Sequence, residues 1–527
     1  MKLTKIHSAA IHGIDARAVT VETAMERGAT VTIVGLPDKA VQESYTRIVA
    51  AIRSSGCQYP HHRIVINLSP ADVRKEGASF DLPMALGVLS CAGVVTEESL
   101  AGTMVTGELS LDGSVLPVKG ALPMAILARS MGLRRLIVPA DNAVEAAVVN
   151  DLEVIGVHSL SETLALLKEE PEAPQPTVVN TRELFARNSQ VFDCDFAEVK
   201  GQEAVKRAIE IACAGGHNIL MSGSPGSGKS MMAKRIPTIL PPLTLREALE
   251  TTKVHSVAGK LKSGSMLMTH RPFRMPHHTV SPVAMVGGGS TPQPGEISLA
   301  DHGILYLDEF PEFPRTVLEV LRQPLEDREI TVSRSKYSVT YPASFMLVAS
   351  MNPCPCGYYG HPRRRCTCPP GAVQKYMSRI SGPLMDRIDL QIEIQPVEFD
   401  DMASQRPGLS SAEMRADVEA ARHVQQVRFT AEKGVFCNAQ MNSRLLRKYA
   451  WPDPAGLERL KQRMEALDMS ARAFDRILRV ARTIADLEAV QCGLTPEQAA
   501  TTPVLAHHIS EAIGYRALDR ASYGESF

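Results

Sequence analysis

Apolar positions along the 527-residue chain change their period several times, and each change predicts a different kind of element. In residues 1–167, short β-branched runs at 31–34, 63–67, 135–138 and 154–157 alternate with stretches of helical spacing, which predicts an α/β unit. The 15 residues 82–96 form a nearly uncharged apolar run between Asp81 and Glu97. That is too short to span a bilayer and predicts a buried helix. Residues 168–177 read KEEPEAPQPT, with no hydrophobic period, and mark a linker placed at 168–191. A second α/β stretch occupies 192–397. From 398 to 527 only helical spacing remains, at 410–429, 442–467 and 471–488. In the last of these, Arg472, Arg476, Arg479 and Arg482 line one stripe, while Ile477, Leu478, Ala481, Ile484 and Ala485 supply a packing face.

Within the second stretch, an apolar run at 219–221 leads into Gly223, Ser224, Pro225, Gly226, Ser227, Gly228, Lys229 and Ser230, followed by helical spacing over 231–240. A strand, a glycine loop and a helix in this order form a phosphate cradle. The glycines let backbone N–H groups turn inward, Lys229 reaches the β/γ oxygens, and the Ser230 hydroxyl takes Mg²⁺. A second apolar strand, 303–307, ends on Asp308 and Glu309. Asp308 is expected to hold hydrated Mg²⁺ and Glu309 to polarise an attacking water. The pair predicts an ATPase with ATP and Mg²⁺ as its cofactors.

Composition changes this picture little. The chain is 44% apolar and 22% charged, with 57 Lys and Arg against 58 Asp and Glu, so it is not a globally basic nucleic-acid binder. The distribution is uneven, however. Residues 251–295 hold no acid but contain Lys253, Lys260, Lys262, Arg271, Arg274 and four histidines. Residues 330–385 again hold no acid, against Arg334, Lys336, Arg363, Arg364, Arg365, Lys375 and Arg379. Segregation of sign on this scale predicts a polyanion-facing surface. Residues 1–13 contain no apolar signal-peptide core, and a cytoplasmic protein is expected.

Six of the ten cysteines are scattered. The other four form two C-x-C pairs, Cys354/Cys356 and Cys366/Cys368, with nine residues between them. Four thiolates this close suit tetrahedral Zn²⁺ in a structural role, with His361 as an alternative to one sulfur. The intervening loop would then display Arg363, Arg364 and Arg365 on a rigid knuckle. Residues 328–341 predict a hairpin whose polar turn carries Arg334 and Lys336.

The run RPFRMPHHT at 271–279, PGEISLA at 294–300, LDE at 307–309 and SGPLMDRID at 381–389 resemble, in this order, the helix-2-insert AAA+ ATPases, specifically the magnesium-chelatase-like ComM/YifB family. The resemblance covers essentially the whole chain. It implies a homo-hexameric ring with an insert directed at a central pore, and a pore-lining role for the hairpin at 328–341. It also implies a sensor-1 role for Asn352, an arginine finger at Arg387 (with Arg379 second), and a sensor-2 role in cis for Arg472. Residues 1–167 look like the proteolytic domain of Lon-type proteases. Glu76, Gly77, Ala78 and Ser79 match the nucleophile turn, but the catalytic lysine position falls on Met124, so a non-proteolytic unit is expected. The family resemblance implies a DNA motor promoting branch migration or unwinding of recombination intermediates in natural transformation. Single-stranded, forked or four-way DNA is the expected partner, with no membrane contact. A chelatase-type motor subunit, or an ATP-driven remodeller of a protein partner, is the alternative.

Overall fold

The computed structural model describes residues 2–181, 192–261, 266–289, 292–334, 337–397, 408–467, 469–516 and 518. Residues 2–181 fold around a mixed seven-stranded sheet, in the spatial order Val31–Val34, Arg63–Ser69, Asp15–Glu26, Lys2–His12, Thr103–Val105, Arg135–Pro139 and Glu153–Val157. A long antiparallel hairpin, in register from Lys2↔Met25 to His12↔Asp15, forms its middle. The apolar run expected at 82–96 is the helix Asp81–Cys91, every residue of which is buried. It packs on both hairpin strands. Its Gly87 is required there, because a Cβ would stand 2.3 Å from the Thr23 hydroxyl.

The second α/β unit has a five-stranded parallel sheet ordered Phe273–Arg274, Ile304–Leu307, Met346–Met351, Ile219–Gly223 and Leu390–Ile394. Parallel strands covered on both faces lose the alternating pattern, and Ile304–Leu307 and Met346–Met351 are buried at every position. All five strands point the same way, so the loops after Gly223, Leu307 and Met351 emerge along one edge. The helical spacing at 231–240 is realised as Lys229–Arg235 and one 3₁₀ turn, Ile236–Thr238, because Pro237 cannot continue an α-helix. The expected hairpin forms as Glu329–Arg334 paired with Tyr337–Pro342.

Helices Ser411–Arg428, Ser443–Tyr449, Pro454–Leu467 and Ala471–Gln491 follow. The single helix expected over 442–467 is broken around Pro452 and Pro454. These helices share one core with the parallel sheet, in which Ile477, Leu478 and Ile484 meet Ile219, Met221 and Leu390. The first unit docks on the second through the helix Leu245–Val257. Lys253 pairs with Asp15, and the Ser256 hydroxyl donates to Glu145, a buried carboxylate that also accepts the Leu122 N–H at 2.9 Å. Burial pushes the Glu145 carboxyl above its usual range, although these hydrogen bonds oppose the shift. No helix among the described residues is long and apolar enough to cross a membrane.

Candidate functional site

The sequence-predicted groups converge at the carboxyl edge of the parallel sheet. Gly226 and Gly228 adopt φ of +80° and +88°, which a side-chain-bearing residue rarely tolerates, and so the loop after Gly223 can curl over the helix Lys229–Arg235. Lys229 Nζ is folded back into this loop. It donates to the carbonyls of Gly223 at 2.7 Å and Ser224 at 2.9 Å, and to Asn352 Oδ1 at 3.3 Å. Burial lowers its pKa, while Asp308 opposes the shift. A half-dehydrated ammonium of this kind gains strongly from an anion. The Ser222 and Ser227 hydroxyls are buried here without a protein partner. A polyphosphate would satisfy such orphaned donors, so the residues present fit one.

Ser230 Oγ donates to Asp308 Oδ2 at 2.8 Å across 78 residues. Ser350, from the neighbouring strand, donates to Asp308 Oδ1, as does the Glu309 N–H at 3.0 Å. Burial alone would raise the Asp308 carboxyl, but the Ser350, Ser230 and Tyr306 hydroxyls outweigh it and hold it below the usual carboxylate range. It is therefore an ionised, pre-oriented oxygen ligand beside a hydroxyl, the hard donor set that Mg²⁺ takes. Glu309 sits at φ +54°, and its side chain is more than half exposed. It meets a residue the sequence did not single out for this role: His278 Nδ1 lies 3.2 Å from Glu309 Oε2. The ring packs edge-on against Phe313.

The four loop cysteines come together with no disulfide. Their sulfurs all lie within 4.8 Å of one another, with Cys354–Cys356 at 3.3 Å, Cys356–Cys366 at 3.5 Å and Cys354–Cys366 at 3.8 Å. A tetrahedral ion with metal–sulfur bonds of about 2.3 Å needs sulfur separations of about 3.8 Å, and the cluster fits. The Tyr359 N–H points at Cys354 Sγ at 3.3 Å. Burial raises Cys356, but the N–H groups of Thr367 and Tyr358 outweigh it and favour its thiolate. His361 is not a ligand. Its Nδ1 accepts the Arg363 and Arg364 N–H groups at 3.0 Å each and shapes the knuckle from within. A second cluster, Glu488 with His507 and His508, is unsuited to a metal. His508 Nδ1 accepts the Leu505 N–H at 2.9 Å, which places the ring proton on the Nε2 that faces Glu488.

The family described as magnesium chelatase, subunit ChlI, matches residues 195–402, and its C-terminal family matches 408–516. A further family, subunit ChlI of Mg-chelatase, matches 21–142. The YifB protein of Escherichia coli is 40% identical over 525 residues, 99% of this chain and 98% of that protein. Competence protein ComM of Haemophilus influenzae is 39% identical over 523 residues, again 99% and 98%. The chain belongs to the ComM/YifB family of magnesium-chelatase-like AAA+ proteins. A Lon protease of Chloroflexus aurantiacus is 30% identical over 169 residues, 30% of this chain and 20% of that protein.

In this ComM/YifB chain the Lon-like unit places its serine turn without a lysine partner at the expected position. Met124 is buried, Ser79 is half-buried, and the Lys119 stem lies over Gly259 of the second unit. The structure places two of the arginines away from the phosphate loop of their own chain. Arg472 lies 4.0 Å from Asp386 and lines a cavity of about 340 Å³ with Asn218, Phe345 and Asp389. Those three residues immediately precede strands, so the cavity sits at the amino edge of the sheet. A five-residue strand rising ~3.3 Å per residue puts about 16 Å between that edge and the phosphate loop. Arg387 occupies the same end and is buried. It is paired with Glu326 at 2.6 Å, and its Nε donates to the Arg322 carbonyl at 3.1 Å, so it is not displayed as a free finger. Arg379 is half exposed, stacked near Tyr376 and paired with Glu312 at 2.6 Å.

The two charge blocks are placed differently. Lys253 pairs with Asp15, Arg271 with Glu247 at 3.2 Å and Arg274 with Glu296 at 2.7 Å, so most of the described cations of 251–295 are neutralised internally. Arg363, Arg364 and Arg365 are exposed on the knuckle, with Arg364 donating to the Tyr358 hydroxyl at 2.7 Å. Arg334 ends its strand, and Lys336 lies outside the described residues.

Proposed function

We propose that this protein is an ATP-hydrolysing DNA motor that works as a homo-hexameric ring on recombination intermediates, by branch migration or unwinding, during natural transformation. The observation that carries the ATPase part is the convergence of Lys229, Ser230, Asp308, Glu309 and Asn352 at one sheet edge. In this reading Lys229, freed from the Gly223 and Ser224 carbonyls, binds the β/γ oxygens. Ser230 and Asp308 hold Mg²⁺, which supplies Lewis-acid neutralisation of phosphate charge. Glu309 orients and deprotonates the attacking water, Asn352 positions it, and His278 holds Glu309 until nucleotide draws it inward.

Arg472 and Arg387 stand at the opposite edge of the same sheet, so either one meets phosphate only across an interface with another copy, Arg387 after leaving Glu326. That geometry supports a head-to-tail ring. Arg379, exposed and close to the turn after Glu309 through Glu312, is the other candidate finger. The four cysteines hold a structural zinc. The DNA part is supported by exposed Arg363, Arg364 and Arg365, and by the name of the competence relative. Arg334 and Lys336, at and beyond the strand end of the hairpin, are its remaining DNA contacts.

A second reading is a chelatase-type motor that drives a protein partner, favoured by the family descriptions at 195–402 and 408–516. ATP hydrolysis measured without DNA and with single strands, duplex and four-way junctions separates the two. Stimulation strongest with junctions, fading steeply with salt, is expected of a backbone-gripping motor. Hydrolysis indifferent to every DNA at low salt overturns the DNA reading and leaves the chelatase-type one.

A further inference from the structure

The cysteine knuckle is seated on the phosphate loop itself. Gly357, between the second and third cysteines, has φ +84°, and a Cβ built there would stand 2.5 Å from Pro225 Cδ and 2.8 Å from Pro225 Cγ. Pro225 is the third residue of the loop that wraps the phosphates. On the other side of the contact, Pro353, Tyr359, Gly360 and His361 close a cavity of about 70 Å³ against Ser222–Ser224 and 393–396. The knuckle's entry limb begins directly after Asn352, which touches Lys229. Its exit limb runs through the helix Ala372–Met377 to Arg379, held by Glu312 just beyond Glu309. The four sulfurs therefore tie together the segment that holds Lys229, the loop that cradles phosphate and the turn after the acidic strand.

We infer that a soft tetrahedral metal ion on Cys354, Cys356, Cys366 and Cys368 braces the phosphate loop through the Gly357–Pro225 contact, making nucleotide affinity a function of metal occupancy. The physical reason is loop entropy. Without the ion, residues 353–371 lack the cross-link that fixes Gly357 in its left-handed conformation, and ordering them must be repeated at each binding event. With it, the wall behind Pro225 is already in place. This rests on the ATPase reading and on zinc occupancy, and extends both. It also places Arg363, Arg364 and Arg365 on the same rigid body as that wall, so a polyanion on the knuckle and a nucleotide in the loop report to one another.

The test uses the full-length protein, with a fluorescent ATP analogue and Mg²⁺ as probe. Zinc-loaded protein and protein stripped by a thiol-competitive chelator are compared, and circular dichroism establishes that the stripped sample is folded. The expected result is about tenfold weaker nucleotide binding on stripping, reversed by Zn²⁺ or Co²⁺. Linkage then requires nucleotide to tighten metal binding by the same factor, and nucleotide is expected to perturb the Co²⁺–thiolate absorption bands. Gly357→Ala keeps all four cysteines but places a methyl against Pro225 at a positive φ. It should weaken nucleotide binding by a similar factor at unchanged zinc content, which covers the case in which stripping unfolds the chain. Equal nucleotide affinity with and without metal, or in zinc-loaded Gly357→Ala, overturns the inference. A chain that binds neither Zn²⁺ nor Co²⁺ overturns it as well, through the metal. If loaded wild type binds no nucleotide at all, the ATPase reading has failed instead.

Discussion

The two edges of the five-stranded parallel sheet are made by the same strands and satisfied in opposite ways. At the carboxyl edge, Lys229 rests on backbone carbonyls, the Ser222 and Ser227 hydroxyls have no protein partner, and Glu309 reaches outward. At the amino edge, charges answer charges. Asp389 accepts the Asn218 N–H at 2.9 Å and pairs with Arg476 at 2.9 Å. Behind it, buried Asp486 is shared by Arg428, Arg482 and Asn438. Both edges are rich in polar side chains, so polarity alone does not mark the site. The difference is that the amino-edge charges are paired within the chain, whereas the carboxyl edge leaves an ammonium and two hydroxyls for a ligand. A closed network specifies a packing geometry, whereas an open one stores binding capacity.

The sharpest way to break this comparison is at Lys229. Lys229→Ala removes charge-assisted bonds of about 1.5–3 kcal/mol each, and ATP affinity measured by titration should fall at least ~100-fold. Glu309→Gln should keep that affinity while turnover drops by ~10²–10⁴-fold, since it acts on water and not on phosphate. Normal turnover in Glu309→Gln would remove it from the site.

At the closed edge the same kind of change should act on stability. Burial raises Asp486, but Arg482 and Arg428 outweigh it and hold it ionised. Asp486→Asn leaves two buried guanidinium groups short of their partner, so denaturant unfolding should show a loss of about 3–5 kcal/mol. Nucleotide affinity of the folded fraction should be unchanged, and a comparable fall there would erase the distinction between the edges.

A gentler probe is pH. Fully buried His217 bonds to the Thr483 hydroxyl at 2.8 Å, and burial lowers its pKa to about 4, although Asp389 opposes the shift. The unfolded chain takes up a proton near pH 6.5 and the folded chain does not, so stability is full above about 6.5 and declines as pH falls toward 4. Between pH 7 and 5 the group should contribute a loss of about 2 kcal/mol. His217→Gln should lose that much less than wild type over the same interval.

The smallest expected effect is on nucleotide affinity in Arg472→Ala. A side chain at the amino edge cannot reach the phosphates of its own chain, so affinity of dilute protein should change less than about twofold. A large loss would restore the cis assignment. Mixing Arg472→Ala with Glu309→Gln chains, and finding turnover above either alone, would show that the arginine works across an interface.

The phosphate loop and the acidic strand end were legible because their signal is local. A glycine pattern between an apolar strand and a helix, and a buried strand closing on two carboxylates, have few other structural uses. The convergence of Ser230 with Asp308, and of Lys229 with Asn352, follows once those strands are parallel neighbours. The stripe Arg472, Arg476, Arg479 and Arg482 was legible as a helix face, but periodicity says only which side chains share a face. Which sheet edge that face meets was decided when Ile477, Leu478 and Ile484 packed beneath the strands. His278 and Glu309 are 31 residues apart, and adjacency of two histidines carries no hint of a carboxylate brought to one of them.

The same boundary runs through the rest of the chain. By itself the sequence determined the classes of element, the phosphate chemistry and the pairing of four cysteines, since each rests on backbone preference or on residues close in the chain. Only the tertiary structure decided that most of the described cations of the acid-free block at 251–295 are paired with Asp15, Glu247 and Glu296, all three outside it in sequence. It alone decided that the cysteine knuckle leans on Pro225, and that Arg387 is buried against Glu326. Coulomb attraction and packing act on distance in space, and a chain's order leaves that distance open until its core has closed.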